Sequence, residues 1–271
     1  MGWGDPGPIA LHWNGTAIAK VDTTGPDGGV SNGEYAAVWV DSDFAWVVGD
    51  PNTITSVARC TAAGCAITYA KTDVDTSFWA VVGTPETLLV AGEVAQSDTA
   101  EDCQRPEGKT CIPANTSCSR TRFNAATSLG NAVVLGGLGG ICTRPQLSGT
   151  WVSNGCGTPT EYIRGVWLGP AGGYAVGTEG IFSFSTSGGS CTLVDDFDPA
   201  GMNFAAVFGT ADNNVWAVGD SGLVMHFDGT EWQRVPLGDQ FSLTGVWATA
   251  TEVWVVGQRD SAQPAMLRYK P

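Results

Sequence analysis

Ala217-Val218-Gly219-Asp220 is the fifth of six copies of one short phrase: an apolar pair, a glycine, then in most copies a small or acidic residue. The others are Val47-Val48-Gly49-Asp50, Val90-Ala91-Gly92-Glu93, Val134-Leu135-Gly136-Gly137, Ala175-Val176-Gly177-Thr178 and Val255-Val256-Gly257-Gln258, with a vestige at Trp3-Gly4-Asp5. The six glycines are separated by 43, 44, 41, 42 and 38 residues. A period of that length marks a stacked repeat in which each unit buries its apolar face against the next.

Each copy follows a second phrase, as in Tyr35-Ala36-Ala37-Val38-Trp39, Phe204-Ala205-Ala206-Val207-Phe208 and Leu243-Thr244-Gly245-Val246-Trp247. Its alternation reads as a strand with one packed face. The small middle residue, also present as Ala80, Ala125 and Gly165, lets backbones approach closely. The rest of the repeat is clearest at Leu223 to Trp232, where Asp228-Gly229 is a hairpin signal. Ile9 to Ile18 offers the same pattern around Asn14-Gly15.

Four strands per period predict an all-β chain folded as one β-propeller domain over residues 1–271. Its six four-stranded blades span approximately 35–76, 77–122, 123–161, 162–201, 202–240, and 241–271 together with 1–24. The chain ends on a third strand, Ala265 to Tyr269, so closure is expected through Thr16 to Val21 pairing with the C-terminal blade, which removes a free edge. Ile9 to Trp13 then has no place, and seven blades with one incomplete remain the alternative. The repeat from Phe78 to Arg122 is the least regular. Gln96 to Cys103 and Pro106 to Lys109 interrupt its strand pattern, predicting a polar loop of the kind that carries function on rigid scaffolds.

A formal charge of −14 and a pI near 4.3 oppose a phosphate backbone, so nucleic acid is set aside. Apolar runs such as Phe78 to Val82 are too short to span a bilayer, and no membrane insertion is expected. Met1 is followed by Gly-Trp-Gly-Asp rather than by basic and apolar regions, which leads us to expect a mature domain whose export signal has been removed.

Eight cysteines, several in close pairs, read as a disulfide framework made in an oxidising compartment. Cys60 is expected to pair with Cys65 and Cys103 with Cys111. Cys118, Cys142, Cys156 and Cys191 allow three pairings, with Cys142 to Cys156 preferred. Zinc is disfavoured, since no C-x-x-C pair is present.

The run Val218-Gly219-Asp220-Ser221-Gly222-Leu223, followed by Asp228-Gly229-Thr230-Glu231-Trp232, resembles the repeats of sialidase-like (Asp-box-like) and photosystem-assembly-factor-like propellers. It also looks like the tandem repeats of bacterial surface proteins. The resemblance implies a propeller and an extracytoplasmic location, secreted, periplasmic or at the cell surface. It implies no particular chemistry, because function resides in sites grafted on folds.

No catalytic residue is singled out. A sialidase-type site needs three arginines converging on a carboxylate, yet only Arg164 stands beside an inner strand. Asp195, Asp196 and Asp198, or Asp41 with Asp43, are the nearest carboxylate groups for a glycosidase. His12 and His226 recur with the repeat, as structural groups do. No cofactor is expected apart from calcium, for which Asp41, Asp43 and Asp212 are candidate ligands in oxygen-rich turns. Trp39, Trp46, Trp167, Trp216, Trp247 and Trp254 are expected in the inter-sheet core. The expected function is a monomeric, non-enzymatic recognition module for a protein or glycan ligand. A polysaccharide hydrolase or lyase with acids near the central channel, and a structural spacer in a surface array, are the alternatives.

Overall fold

The computed structural model describes residues 10–13, 18–21, 33–51, 55–71, 76–84, 87–94, 97–104, 111–114, 116, 118, 122–146, 149–186, 191–194, 203–259 and 263–270. Among these, the regular structure is antiparallel strand apart from one 3-10 turn, Asp220–Gly222.

Six sheets follow one another along the chain, each a meander of sequential neighbours. The first holds Gly33–Val40, Ala45–Pro51, Thr55–Thr61 and Gly64–Lys71. The second holds Thr76–Gly83, Thr87–Val94, Ser97–Gln104 and Cys111–Pro113. The third holds Phe123–Leu129, Ala132–Gly137, Gly140–Arg144 and Val152–Gly155. The fourth holds Ile163–Gly169, Gly172–Gly177, Ile181–Phe184 and Thr192–Leu193. The fifth holds Phe204–Ala211, Asn214–Gly219, Val224–Phe227 and Trp232–Arg234. The sixth holds Phe241–Ala248, Val253–Arg259 and Gln263–Tyr269. The chain divides into two compact units, Met1–Thr116 with Thr121–Phe123, and Ser117–Arg120 with Asn124–Pro271.

The repeat phrases are the first two strands of each sheet, and their register explains the recurring glycine. Five first strands carry a β-bulge, between Tyr35 and Ala37, Phe78 and Ala80, Ile163 and Gly165, Phe204 and Ala206, and Leu243 and Gly245. In each, the bulky residue before the bulge stands opposite the repeat glycine: Gly49, Gly92, Gly177, Gly219 or Gly257. The bulge bends the strand and brings a backbone carbonyl over that glycine. A Cβ on Gly92, Gly177, Gly219 or Gly257 would overlap the carbonyl oxygen of Ser77, Tyr162, Asn203 or Ser242 respectively.

Apolar clusters lie between successive sheets within each unit. Trp46, Val48, Phe78, Val81, Leu88 and Val90 join the first and second sheets. Val176, Ile181, Phe204, Val215, Met225 and Trp232 join the fourth and fifth. The aromatic ring near the end of one first strand covers a glycine on the next: Trp39 over Gly83, and Trp167 over Gly209.

Three expectations are corrected. Ser97–Gln104 is a strand, not a polar loop, paired along its length with Thr87–Val94. Its acidic composition gives little local strand preference, and the ladder opposite Leu88 to Val90 decides the conformation. Cys142 is bonded to Cys118 and Cys156 to Cys191, in place of the Cys142 to Cys156 pairing. Cys142 stands opposite Ser153, three residues from Cys156, and that distance along a strand, roughly 10 Å, exceeds what a disulfide spans. Finally, Ile18–Val21 pairs with Ala10–Trp13 as a hairpin, which gives residues 10–13 a partner. Among the described residues the sixth sheet has three strands, and Ile18–Val21 is not one of them.

Cys60 is bonded to Cys65 across the turn between two strands. Cys103 stands opposite Cys111 in the ladder of the second sheet.

Candidate functional site

The turn carboxylates hold their own backbone. Asp41 Oδ1 accepts from the amides of Asp43 and Phe44 at 2.7 and 2.6 Å, and Oδ2 accepts from the Trp46 indole at 3.3 Å. Asp43 is exposed. Asp212 accepts from the Ala171 amide at 3.3 Å, tying the fifth sheet to the fourth. The structure thus places Asp41 and Asp43 in one turn and Asp212 in another. Among the described residues, no three His, Cys, Asp or Glu side chains stand together as a metal-binding group. Arg164 is exposed, and Asp195, Asp196 and Asp198 lie outside the described residues.

His226 is built into its sheet. Its ring stacks on Trp216 with centroids 4.0 Å apart, and Nε2 lies 2.9 Å from Asn214 Oδ1, which also accepts from the Trp216 indole at 2.8 Å. Burial holds the imidazole below its ordinary value, and the Asp228 charge opposes this. Asp228 itself is held down to about 2 by hydrogen bonds from the Thr230 hydroxyl and the Glu231 and Thr230 amides. His12 lies on the strand Ala10–Trp13, opposite Ala19.

A carboxyl group the sequence did not single out is the most buried acid among the described residues of the second unit. Glu161 is fully buried just before the first strand of the fourth sheet, and its Oε2 accepts from the Thr178 hydroxyl at 2.8 Å. Burial raises its pKa, and the neighbouring Glu179 charge adds to this against hydrogen bonds that lower it. Glu179 accepts from the hydroxyl and, at 3.1 Å, the amide of Thr158. These two acids clamp the approach to the fourth sheet, and a Cβ on Gly177 would overlap Glu161 Oε1.

Trp46, Trp216 and Trp167 are buried as expected, and Trp39 and Trp254 are partly buried. Trp247 is not. It is 51% exposed on the first strand of the sixth sheet, with Phe208 as a ring neighbour at 6.4 Å. The same sheet exposes Val256, Met266 (57%) and Tyr269 (46%). In the other unit the first sheet exposes Val38, Val40 and Ile67.

Beside the edge strand Gln263–Tyr269 lies a cavity of about 320 Å³ between the fifth and sixth sheets, lined by Trp216, Val224, Val235, Leu237, Leu267 and Tyr269 among others. Its rim is polar: Arg259 pairs with Asp239 at 3.0 Å, and Arg268 with Glu252. An apolar cavity with a polar rim and a half-exposed aromatic at its mouth suits an anchoring side chain or a small apolar group. Its charged lining residues are Asp239 and Arg268.

No family model matches the chain, and no curated protein matches it. Among solved structures it is similar to YCF48 from Cyanidioschyzon merolae, at 16% identity over 97% of this chain and 89% of that one, with a TM-score of 0.69. YCF48 bound to D1 peptide gives 14% identity, 97% and 87% coverage and a TM-score of 0.67. The extracellular domain of the putative one-component system BT4673 from B. thetaiotaomicron gives 13% identity, 85% and 32% coverage and a TM-score of 0.63. At such identities the likeness is one of fold, and the fold is that of a β-propeller.

Proposed function

We propose that the chain is a secreted or cell-surface recognition module of six blades, without catalytic activity, that binds a macromolecular partner. The observation that carries this reading is the apolar cavity between the fifth and sixth sheets, with half-exposed Tyr269 in its wall. Contiguous exposed apolar surface rimmed by polar groups is the mark of an interaction site. Disulfides among the described residues favour an oxidising compartment. Likeness to a propeller solved with a bound peptide and to an extracellular domain is compatible with both parts of the reading. A protein partner is favoured over a glycan, because sugar-binding surfaces present flat aromatic faces with hydrogen-bonding neighbours, whereas this cavity is lined almost wholly by aliphatic and aromatic groups.

The test is a glycan array together with a displayed-peptide panel, run on the oxidised chain with calcium and with chelator in parallel. Saturable binding of one ligand class supports the module. Silence on both panels by a correctly folded sample, or release of reducing ends from a polysaccharide panel, overturns it. A requirement for calcium would return Asp41, Asp43 and Asp212 to the position of ligands.

A further inference from the structure

We propose that Glu161 keeps its proton in the folded chain and serves as an acid latch between the third and fourth sheets, holding them together while neutral and loosening them when it ionises.

The main chain of Glu161 is part of the seam between these sheets. Its carbonyl accepts from the amide of Gly139, in a turn of the third sheet, at 2.6 Å, and its amide donates to the Thr158 carbonyl at 3.0 Å. The next residue, Tyr162, bridges to Leu138, and its phenol donates to Asn124 Oδ1 at 2.9 Å. A displacement of Glu161 is therefore a displacement of the seam.

The side chain is fully buried, and its two oxygens meet different surroundings. Oε2 accepts from the Thr178 hydroxyl at 2.8 Å. The hydroxyl oxygen in turn accepts from the Tyr162 amide at 3.4 Å, which leaves its proton for Glu161. Oε1 receives no hydrogen bond. A Cβ on Gly177 would overlap both Oε1 and the Tyr162 carbonyl oxygen, so these two oxygens converge on one spot. Acceptors that converge away from water are reconciled by a proton on one of them: a neutral carboxyl donates, whereas a carboxylate leaves its buried oxygen unmet.

The charges nearby act in the same direction. Residues 137–140, 158–160 and 177–180 enclose the group, and Glu179 is the charged side chain among them. Glu179 is itself held in place by the Thr158 hydroxyl and, at 3.1 Å, the Thr158 amide. Burial first, and then the Glu179 charge, favour neutral Glu161 against hydrogen bonds from Thr178 and Glu179. A carboxyl whose pKa is raised by folding stabilises fully below the ordinary glutamate value of about 4.3, and that contribution is lost as pH rises through the raised value. The Cys156 to Cys191 bridge ties the same two sheets, so ionisation loosens the seam without parting them.

The test compares the full oxidised chain with Glu161→Gln, whose side chain has the same shape and stays neutral. Urea denaturation from about pH 4 to about pH 9 gives both unfolding constants. Titration of His226, common to both chains, cancels in their ratio. We expect the ratio of parent to variant to rise by up to about tenfold per pH unit above about pH 4.3, then to level off once Glu161 has ionised in the folded chain. Glu179→Gln should bring that plateau to lower pH. Protection of the Gly139 and Glu161 amides from hydrogen exchange, corrected for intrinsic rates, should fall over the same range in the parent alone. An NMR titration of the Glu161 carboxyl in the parent carries the test if the variant misfolds, with an inflection expected above about 4.3.

A ratio that stays level or falls with rising pH overturns the proposal, as does an inflection at or below about 4.3 or equal amide protection in both chains. A calcium-dependent rise in the parent's denaturation midpoint that Glu161→Gln abolishes also overturns it, by assigning the two acids to a cation.

Discussion

Replacing Gly219 with alanine tests whether the repeat glycine supplies space rather than conformation. Gly219 has φ −167°, an extended backbone open to any residue, so left-handed strain plays no part. The obstacle is steric: the new Cβ would lie 2.9 Å from both the Asn203 carbonyl carbon and Phe204 Cα, and nearer still to the Asn203 oxygen. These are backbone atoms held by a ladder, and they can retreat only if the bulge shifts. Overpacking of this kind costs about 1–3 kcal/mol, offset by about 0.4–1 kcal/mol from the stiffer unfolded chain. The net of about 1–2 kcal/mol translates to a fall in Tm of roughly 2–8 °C for a chain of this size. Gly155→Ala is the control, since its Cβ would meet nothing within 4 Å. Differential scanning calorimetry of both variants decides the matter. A Gly219→Ala protein melting as high as the control would refute the steric account of the repeat.

Further predictions concern the staples, the histidine and the tryptophans. Removing the Cys156 to Cys191 bridge, which spans 35 residues, by double alanine substitution should destabilise by about 3–4 kcal/mol; an unchanged denaturation midpoint would count against a structural disulfide. His226 is held below its ordinary value, so the fold prefers the neutral ring. Its contribution is complete above about pH 6.5 and declines as pH falls through the lowered value. His226→Gln should flatten that part of the stability curve, and parallel curves would exclude the linkage. Trp216→Ala should cost about 3–5 kcal/mol, whereas Trp247→Ser, at a half-exposed position, should cost far less; equal losses would show that Trp247 is packed in solution.

The period was legible because spacing survives where residues vary: the glycine, the apolar pair before it and the Asp228-Gly229 turn each answer a local requirement. At that turn Asp228 Oδ1 accepts from the Thr230 and Glu231 amides at 2.8 and 3.1 Å, chemistry visible in four letters. The bulges were not legible, since the extra residue is recognised only against its partner strand. The strand Ser97–Gln104 was hidden for the same reason, its conformation set by its neighbour rather than by composition. Cysteine pairing depends on which ends of successive sheets approach. Glu161 gave no signal because a lone glutamate before a strand usually faces solvent, and its burial follows from the neighbouring Thr178 to Gly180 turn. Trp247 was misplaced because its position in the phrase does not show whether its face is covered, and it is 51% exposed.

The two longer disulfides also determine how the chain responds to tension. Cys118 to Cys142 and Cys156 to Cys191 close separate segments of 24 and 35 residues. Pulled from its ends, the oxidised chain can unravel its sheets yet cannot release either segment. The longer one alone withholds roughly 120 Å of extended length. Reduction adds that slack once the enclosed strands Ile163–Gly169, Gly172–Gly177 and Ile181–Phe184 unfold. The thiol balance outside the protein therefore sets its maximum reach, and single-molecule extension curves recorded with and without reductant would read that difference directly.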